Sequence, residues 1–277
     1  MAKSSREHLR PAREDQRLSA PQNIYDDPEF LAGYSRLERF GPGWTRAVEH
    51  ADFMRLLPPL EGRRVLDLGC GVGQLAAHLA GAGAAEVIGV DISERMLALA
   101  AAEHAHPRVT YLRHAIESVA FPARRFDLVV SSLAFHYVED YPGLARRIAG
   151  WLAPGGILVY STEHPIYTAI DPATGWALDG EGKRLHWALD RYADEGWRAQ
   201  HWFVDGVRKY HRTMATLING LVEAGLAVER MLEPIPDEET LRRRPDFVDE
   251  DRRPTFLLVR SRKSPSSLVP SGDGKQP

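Results

Sequence analysis

The sequence predicts an α/β fold: a doubly wound sheet with an N-terminal helical cap and an insertion after the fifth strand. Three observations lead there. Apolar runs at Val65–Leu68, Val87–Val90, Val109–Leu112, Phe126–Ser132 and Ile157–Ser161 alternate with stretches of helical periodicity, the order of parallel strands joined by crossover helices. The first run is followed at once by Gly69, Gly71 and Gly73 and then by the helical pattern Gln74–Ala80. The second run ends in Asp91, about 20 residues on, where an acid can accept both hydroxyls of a ribose.

Composition sets the frame. The chain has 277 residues, 44% of them hydrophobic, enough for a sizeable core in one large domain. A formal net charge of -3 gives no broad basic footprint, so neither nucleic acid nor an anionic membrane is the expected partner. No run reaches the length of a membrane span. Cys70 is the single cysteine, which excludes an internal disulfide framework and fits a reducing, cytoplasmic location.

Taken in order, residues 1–22 read as a disordered arm rich in charge, Ser, Ala and Pro, without the apolar centre of a signal peptide. Asp27-Pro28 starts a helix by the cap-then-proline pattern, and a second helix is expected from about Trp44 to Leu57, stopped by Pro58-Pro59. Ser93 caps a helix running to about His104, and another spans about Tyr141 to Trp151. His104, His106 and His114 are separated by Pro107 and a strand, so no metal site is expected. Beyond strand five, Tyr167 to Arg208 is a long excursion rich in Trp and Tyr. Long insertions at the carboxyl edge of a sheet are functional when ordered, and we read this one as a substrate lid, with a packing extension or a homodimer contact as the alternative. A helix with Met214, Leu217, Ile218, Leu221 and Val222 on one face follows, then strands at Leu226–Met231 and Thr255–Val259. The domain boundaries are therefore 23–262, divided into cap (23–60), core (61–163), insertion (164–208) and C-terminal part (209–262), with a polar, disordered tail at 263–277. Arg242–Arg244 lies among Asp and Glu and reads as a solvated face.

The glycine turn brings backbone N–H groups close to a ligand because no Cβ intervenes. Its spacing is G-x-G-x-G, and Asp67 stands two residues before the first glycine. A carboxylate there repels a pyrophosphate but can organise a site around a cation. S-adenosylmethionine carries an ammonium, a sulfonium and a ribose without phosphate, so charge favours it over NAD.

Val65–Gly73, Val87–Asp91, Phe126–Ser132 and Leu152–Tyr160 resemble the successive motifs of class I S-adenosylmethionine-dependent methyltransferases, in the small-molecule branch that includes the ubiquinone and menaquinone methylases. The resemblance is strong over about Asn23 to Ser161 and looser to Arg262. It implies a Rossmann-like methyltransferase fold, a seven-stranded sheet with the last strand antiparallel, and methyl transfer by in-line displacement. Residue by residue it implies a cofactor site of Asp67, Gly69, Cys70, Gly71, Asp91, Ile92, Met96, Ile116, Glu117 and Ser132. The segment from His114 to Pro122 aligns with the one that holds adenine, but Ala115 replaces the frequent aspartate, which loosens that part of the assignment.

For chemistry on an acceptor, a base is needed wherever a proton must leave. Candidates at the carboxyl edge are His136, His164 and His211, the last read as opening the helix after the insertion. Tyr25, Tyr34, His136, Tyr137, Glu163 and His164 are the candidate substrate contacts, with plain core packing as the alternative for the two N-terminal tyrosines. The partner is a small-molecule acceptor, the atom methylated being open. Two rival readings stand beside this one: an NAD(P)-dependent oxidoreductase, and a module that binds S-adenosylmethionine or S-adenosylhomocysteine without turnover.

Overall fold

The computed structural model describes residues 20–170 and 174–265. The N-terminal cap holds α1 (Pro28–Tyr34) and α2 (His50–Leu56), with short 3-10 segments at Ile24–Asp26 and Gly41–Arg46. Asp27 caps α1 by accepting the amides of Glu29 and Phe30. The helix expected from Trp44 is shorter than its sequence pattern: Ala47 is extended, and the Trp44 ring turns edge-on to His50 at 4.4 Å instead of continuing a helical face.

The core runs β1 (Arg64–Leu68), α3 (Gln74–Gly81), β2 (Glu86–Asp91), α4 (Glu94–Glu103), β3 (Val109–Arg113), β4 (Phe126–Ser132), α5 (Tyr141–Trp151) and β5 (Leu152–Glu163). After α6 (Pro165–Thr168) come two hairpins, β6 (Trp176–Leu178) with β7 (Arg184–Trp187) and β8 (Gly196–Trp202) with β9 (Val204–His211). α7 (Met214–Glu223), β10 (Leu226–Leu232), α8 (Glu238–Arg243) and β11 (Phe256–Lys263) complete the described chain. The seven-stranded sheet has the order β10-β11-β5-β4-β1-β2-β3. β11 inserts antiparallel to both β5 and β10, the finish that the sequence resemblance implied. β5 begins earlier than expected because Leu152 already pairs with Phe126, and the following residues bulge before Ile157 rejoins the ladder opposite Leu128.

Alternation along each strand feeds two cores. Leu66, Leu68, Val129, Leu158 and Tyr160 pack with Tyr141, Leu144, Ile148 and Leu217 from α5 and α7. Val65, Leu128, Val130, Ile157 and Val159 pack with Phe53, Leu56, Leu75 and Leu79 from α2 and α3. Helices therefore cover both faces, and the carboxyl ends of β1, β2, β4 and β5 are left to carry a site.

The disordered arm and tail expected from sequence lie outside the described residues, apart from 20–22 and 263–265. Within those, Gln22 bonds the backbone of Arg208 in both directions, and Lys263 ends β11.

Candidate functional site

At the end of β1 the backbone turns through left-handed conformations, φ being +74° at Gly69 and +52° at Gly71. A Cβ on Gly69 would come to 2.4 Å from the Cβ of Ala134, while one on Gly71 meets nothing within 4 Å. The first glycine thus lets two loops touch, and the second keeps open space open. Asp67 lies under this turn, 1% exposed, and neither of its carboxylate oxygens has a hydrogen-bond partner. Burial, reinforced by the nearby Asp91 charge, pushes its pKa up to about 8. A buried carboxylate without partners is costly, and one whose pKa is this strongly raised beside a cavity is a candidate functional group.

Asp91, at the end of β2, accepts the amide of Gly71 at 2.8 Å and that of Ser93 at 2.9 Å. Burial raises its pKa, and these amides pull the other way. Ser93 caps α4 as expected, accepting the amide of Met96.

One cavity brings these elements together. Gly69, Cys70, Gly71, Asp91, Ile92, Met96, Ile116, Glu117 and Ser132 line it, as do Tyr25, Tyr34 and Tyr137. Asp67 lies beneath the lining and not in it. The Tyr25 and Tyr137 hydroxyls are 3.3 Å apart, and the Tyr25 ring stands perpendicular to those of Tyr34 and Tyr137. Burial holds both phenols well above the usual tyrosine range. Cys70 is buried, its thiol pushed up by burial, as suits a small residue filling a tight turn.

The structure does not bring the three histidines to this cavity. His136 is buried behind its neighbour Tyr137, its Nδ1 accepting the Glu163 amide at 3.4 Å. Burial holds its pKa down to about 3, the Lys209 charge adding to this and the Glu163 charge opposing it, so it is neutral and a weak base. His164 caps α6 through the Ile166 amide and faces Glu233 at 2.9 Å. His211 ends β9 and does not open a helix; the helix begins at Met214 behind the cap residue Thr213. Its two ring nitrogens are used by Thr168 Oγ1 at 2.8 Å and the Tyr192 carbonyl at 2.9 Å. His211→Ala is therefore expected to cost about 1–3 kcal/mol of stability through these buried groups and to leave donor affinity unchanged, as read by thermal melts and calorimetry. Glu163, expected at the substrate, instead forms a buried ion pair with Lys209. Burial pushes its pKa up, but the charge and hydrogen bond of Lys209 overcome this and hold it down.

The insertion stands apart from the cavity. None of its described residues lines the cavity. Trp202 and Phe203, at the turn of the β8–β9 hairpin, pack on Phe30 of α1 at 5.2 and 5.7 Å. Trp202 also stacks beneath the Lys209 ammonium at 4.5 Å. The hairpin therefore backs the cap, and the cap forms the wall.

Two contributors were not legible in the sequence. Arg39 lines the cavity and pairs with the buried Glu49; among the described lining residues it is the one Lys or Arg. Asp26, far from α4 in sequence, accepts the amides of Arg95 at 3.1 Å and Glu94 at 3.3 Å. Neither belongs to a motif, and both meet their partners only once the chain is folded.

Comparison with known proteins agrees with this geometry. Residues 65–156 match the methyltransferase domain family. A Mesorhizobium loti crystal structure described as an S-adenosylmethionine dependent methyltransferase is 44% identical, with a TM-score of 0.72 over 78% of this chain and 98% of that one. A Listeria monocytogenes structure, a candidate enzyme of the same description, is 37% identical with a TM-score of 0.75 over 80% and 99%. A ubiquinone biosynthesis O-methyltransferase of Bradyrhizobium diazoefficiens is 39% identical over 50% of this chain and 56% of its own. S-adenosylmethionine as the cofactor displaces the nicotinamide reading. The chain belongs to the class I S-adenosylmethionine-dependent methyltransferases.

Proposed function

We propose that the acceptor is a small molecule, methylated inside the same cavity that holds the donor. One observation carries this reading: aromatic residues of the N-terminal cap, Tyr25, Tyr34, Phe40, Trp44 and Phe53, line the cavity together with the glycine turn and Asp91. A space walled in this way suits a compact apolar or aromatic acceptor better than a polymer. Arg39 is the one Lys or Arg among the described lining residues, too little positive charge for an acceptor carrying several negative ones.

The residues present fit the donor. Asp67 offers an unpartnered buried carboxylate beneath a turn without side chains, suited to the ammonium. Asp91 suits the ribose hydroxyls, Ile92 and Ile116 the adenine faces, and Glu117 its edge, with Cys70, Met96 and Ser132 completing the wall. Arg39 suits the carboxylate, exchanging Glu49 for it. When bound, S-adenosylmethionine supplies a methyl carbon activated by a sulfonium leaving group. The chain contributes position: most of the rate of such a displacement comes from holding reactants in line in a dry site. Tyr25 and Tyr137 stay protonated at neutral pH and serve to orient the acceptor through their hydroxyls. His136 supports Tyr137 from behind, the rings 4.3 Å apart.

The test is release of S-adenosylhomocysteine with a panel of phenols, amines, thiols and carboxylic acids, run beside protein and RNA substrates. Turnover confined to protein or RNA sinks the proposal. Arg39→Met is expected to weaken S-adenosylhomocysteine binding roughly 10–100-fold by removing a charge-assisted pair. Unchanged affinity by calorimetry would place the carboxylate elsewhere.

A further inference from the structure

The segment Gln22–Asp26 crosses the cavity wall as a strap, Gln22, Ile24 and Tyr25 all lining it. It is fixed at both ends. Gln22 takes the Arg208 amide at 2.8 Å and donates to the Arg208 carbonyl at 3.2 Å, tying the strap to β9. Asp26 occupies the amino end of α4: its Oδ1 accepts from Ser93 Oγ at 2.6 Å and from the Arg95 amide, and its Oδ2 accepts from the Glu94 amide. The first-turn amides of a helix lack partners within it. Here Ser93 Oγ serves Met96, and Asp26 serves the two before it. Ser93 is fully buried and reaches both ways, its amide to Asp91 and its hydroxyl to Asp26.

We propose that Asp26 is a latch holding the strap against the donor cavity, and that Ser93 couples this latch to Asp91. The proposal rests on the reading of the cavity as the donor's. Asp26 is a positioning residue: it touches no reacting atom and acts by placing Tyr25 and Ile24 in the wall. Burial alone would raise its pKa, but the Ser93 hydroxyl and the helix amides hold it at about 2, so the latch stays charged across the physiological range.

The experiment follows S-adenosylhomocysteine dissociation from the full chain by stopped flow, read by intrinsic tryptophan fluorescence, Trp44 standing in the cavity wall. It is paired with hydrogen exchange at the Glu94 and Arg95 amides and with thermal melts. In Asp26→Ala, dissociation is expected to speed up at least tenfold, with faster exchange at those two amides. Asp26→Asn keeps the size and one acceptor oxygen and should fall between the two, which preserves the test should the alanine variant fold poorly. Lost amide protection with a dissociation rate within twofold of wild type would make Asp26 an ordinary helix cap and overturn the latch. Failure of the wild-type chain to bind S-adenosylhomocysteine would overturn the donor-cavity reading and the latch with it.

Discussion

Replacing Asp67 by Asn is expected to raise the stability of the ligand-free protein and weaken its hold on the donor. The folded-state pKa of about 8 lies above the ordinary 3.8, so between those values the folded chain keeps a proton that the unfolded chain has lost. Stability therefore falls as pH rises through that window, at about 1.4 kcal/mol per unit for this group, and levels off above it. Asn cannot ionise, so the variant lacks that slope and should be more stable by a few kcal/mol near neutral pH. Binding has the opposite sign. A cationic donor favours the ionised carboxylate, so donor affinity in the wild type should climb towards pH 8, and binding at pH 7 should release close to one proton. The Asp67→Asn variant is expected to lose both the climb and the proton release, with affinity down roughly 10–100-fold. Calorimetry in two buffers of different ionisation heat, with melts from pH 5 to 9, reads both effects. Equal proton release by the two proteins would remove Asp67 from the donor site. Asp91 is the charged neighbour that could mimic the effect, and Asp91→Asn separates the two.

Gly69→Ala and Gly71→Ala are expected to fail in different ways. Both positions need a left-handed backbone, which costs an L-residue about 1–2 kcal/mol. At position 69 the new methyl also meets Ala134 at 2.4 Å, and overpacking adds about 1–3 kcal/mol. This variant should melt well below wild type and lose donor binding because the loop moves. At position 71 the methyl has free space, so the melt should shift only modestly. That space belongs to the cavity, however, and affinity for S-adenosylhomocysteine should fall at least tenfold. Equal melts for the two variants would show that contact with Ala134 does not fix the turn.

The parts of the site carried by one βα unit were legible without a structure. Gly69, Gly71, Asp91 and Ser93 owe their positions to local rules: glycine where φ is positive, an acid at a strand end, a serine before a helix. Ile92, Met96 and Ile116 follow because they are adjacent to those points. The histidines were ambiguous for an equally physical reason. A sequence shows that a histidine is near a strand end but not whether its ring nitrogens are already used, and those of His164 and His211 are. The insertion was ambiguous because aromatic richness marks packing of any kind; here Trp202 and Phe203 are half-buried against α1.

By itself the sequence determined the strand and helix order, the glycine turn and the acids at positions 67 and 91, because these depend on short-range periodicity and backbone sterics. Its resemblance to a family supplied the antiparallel last strand. Only the tertiary structure decided which charges face one another: Arg39 with Glu49 in the cavity wall, Lys209 with Glu163, and Asp26 at the amino end of α4. Charged residues look alike in a sequence. What separates a solvated one from a working one is the desolvation imposed by neighbours distant in the chain, and that exists only once the chain is packed.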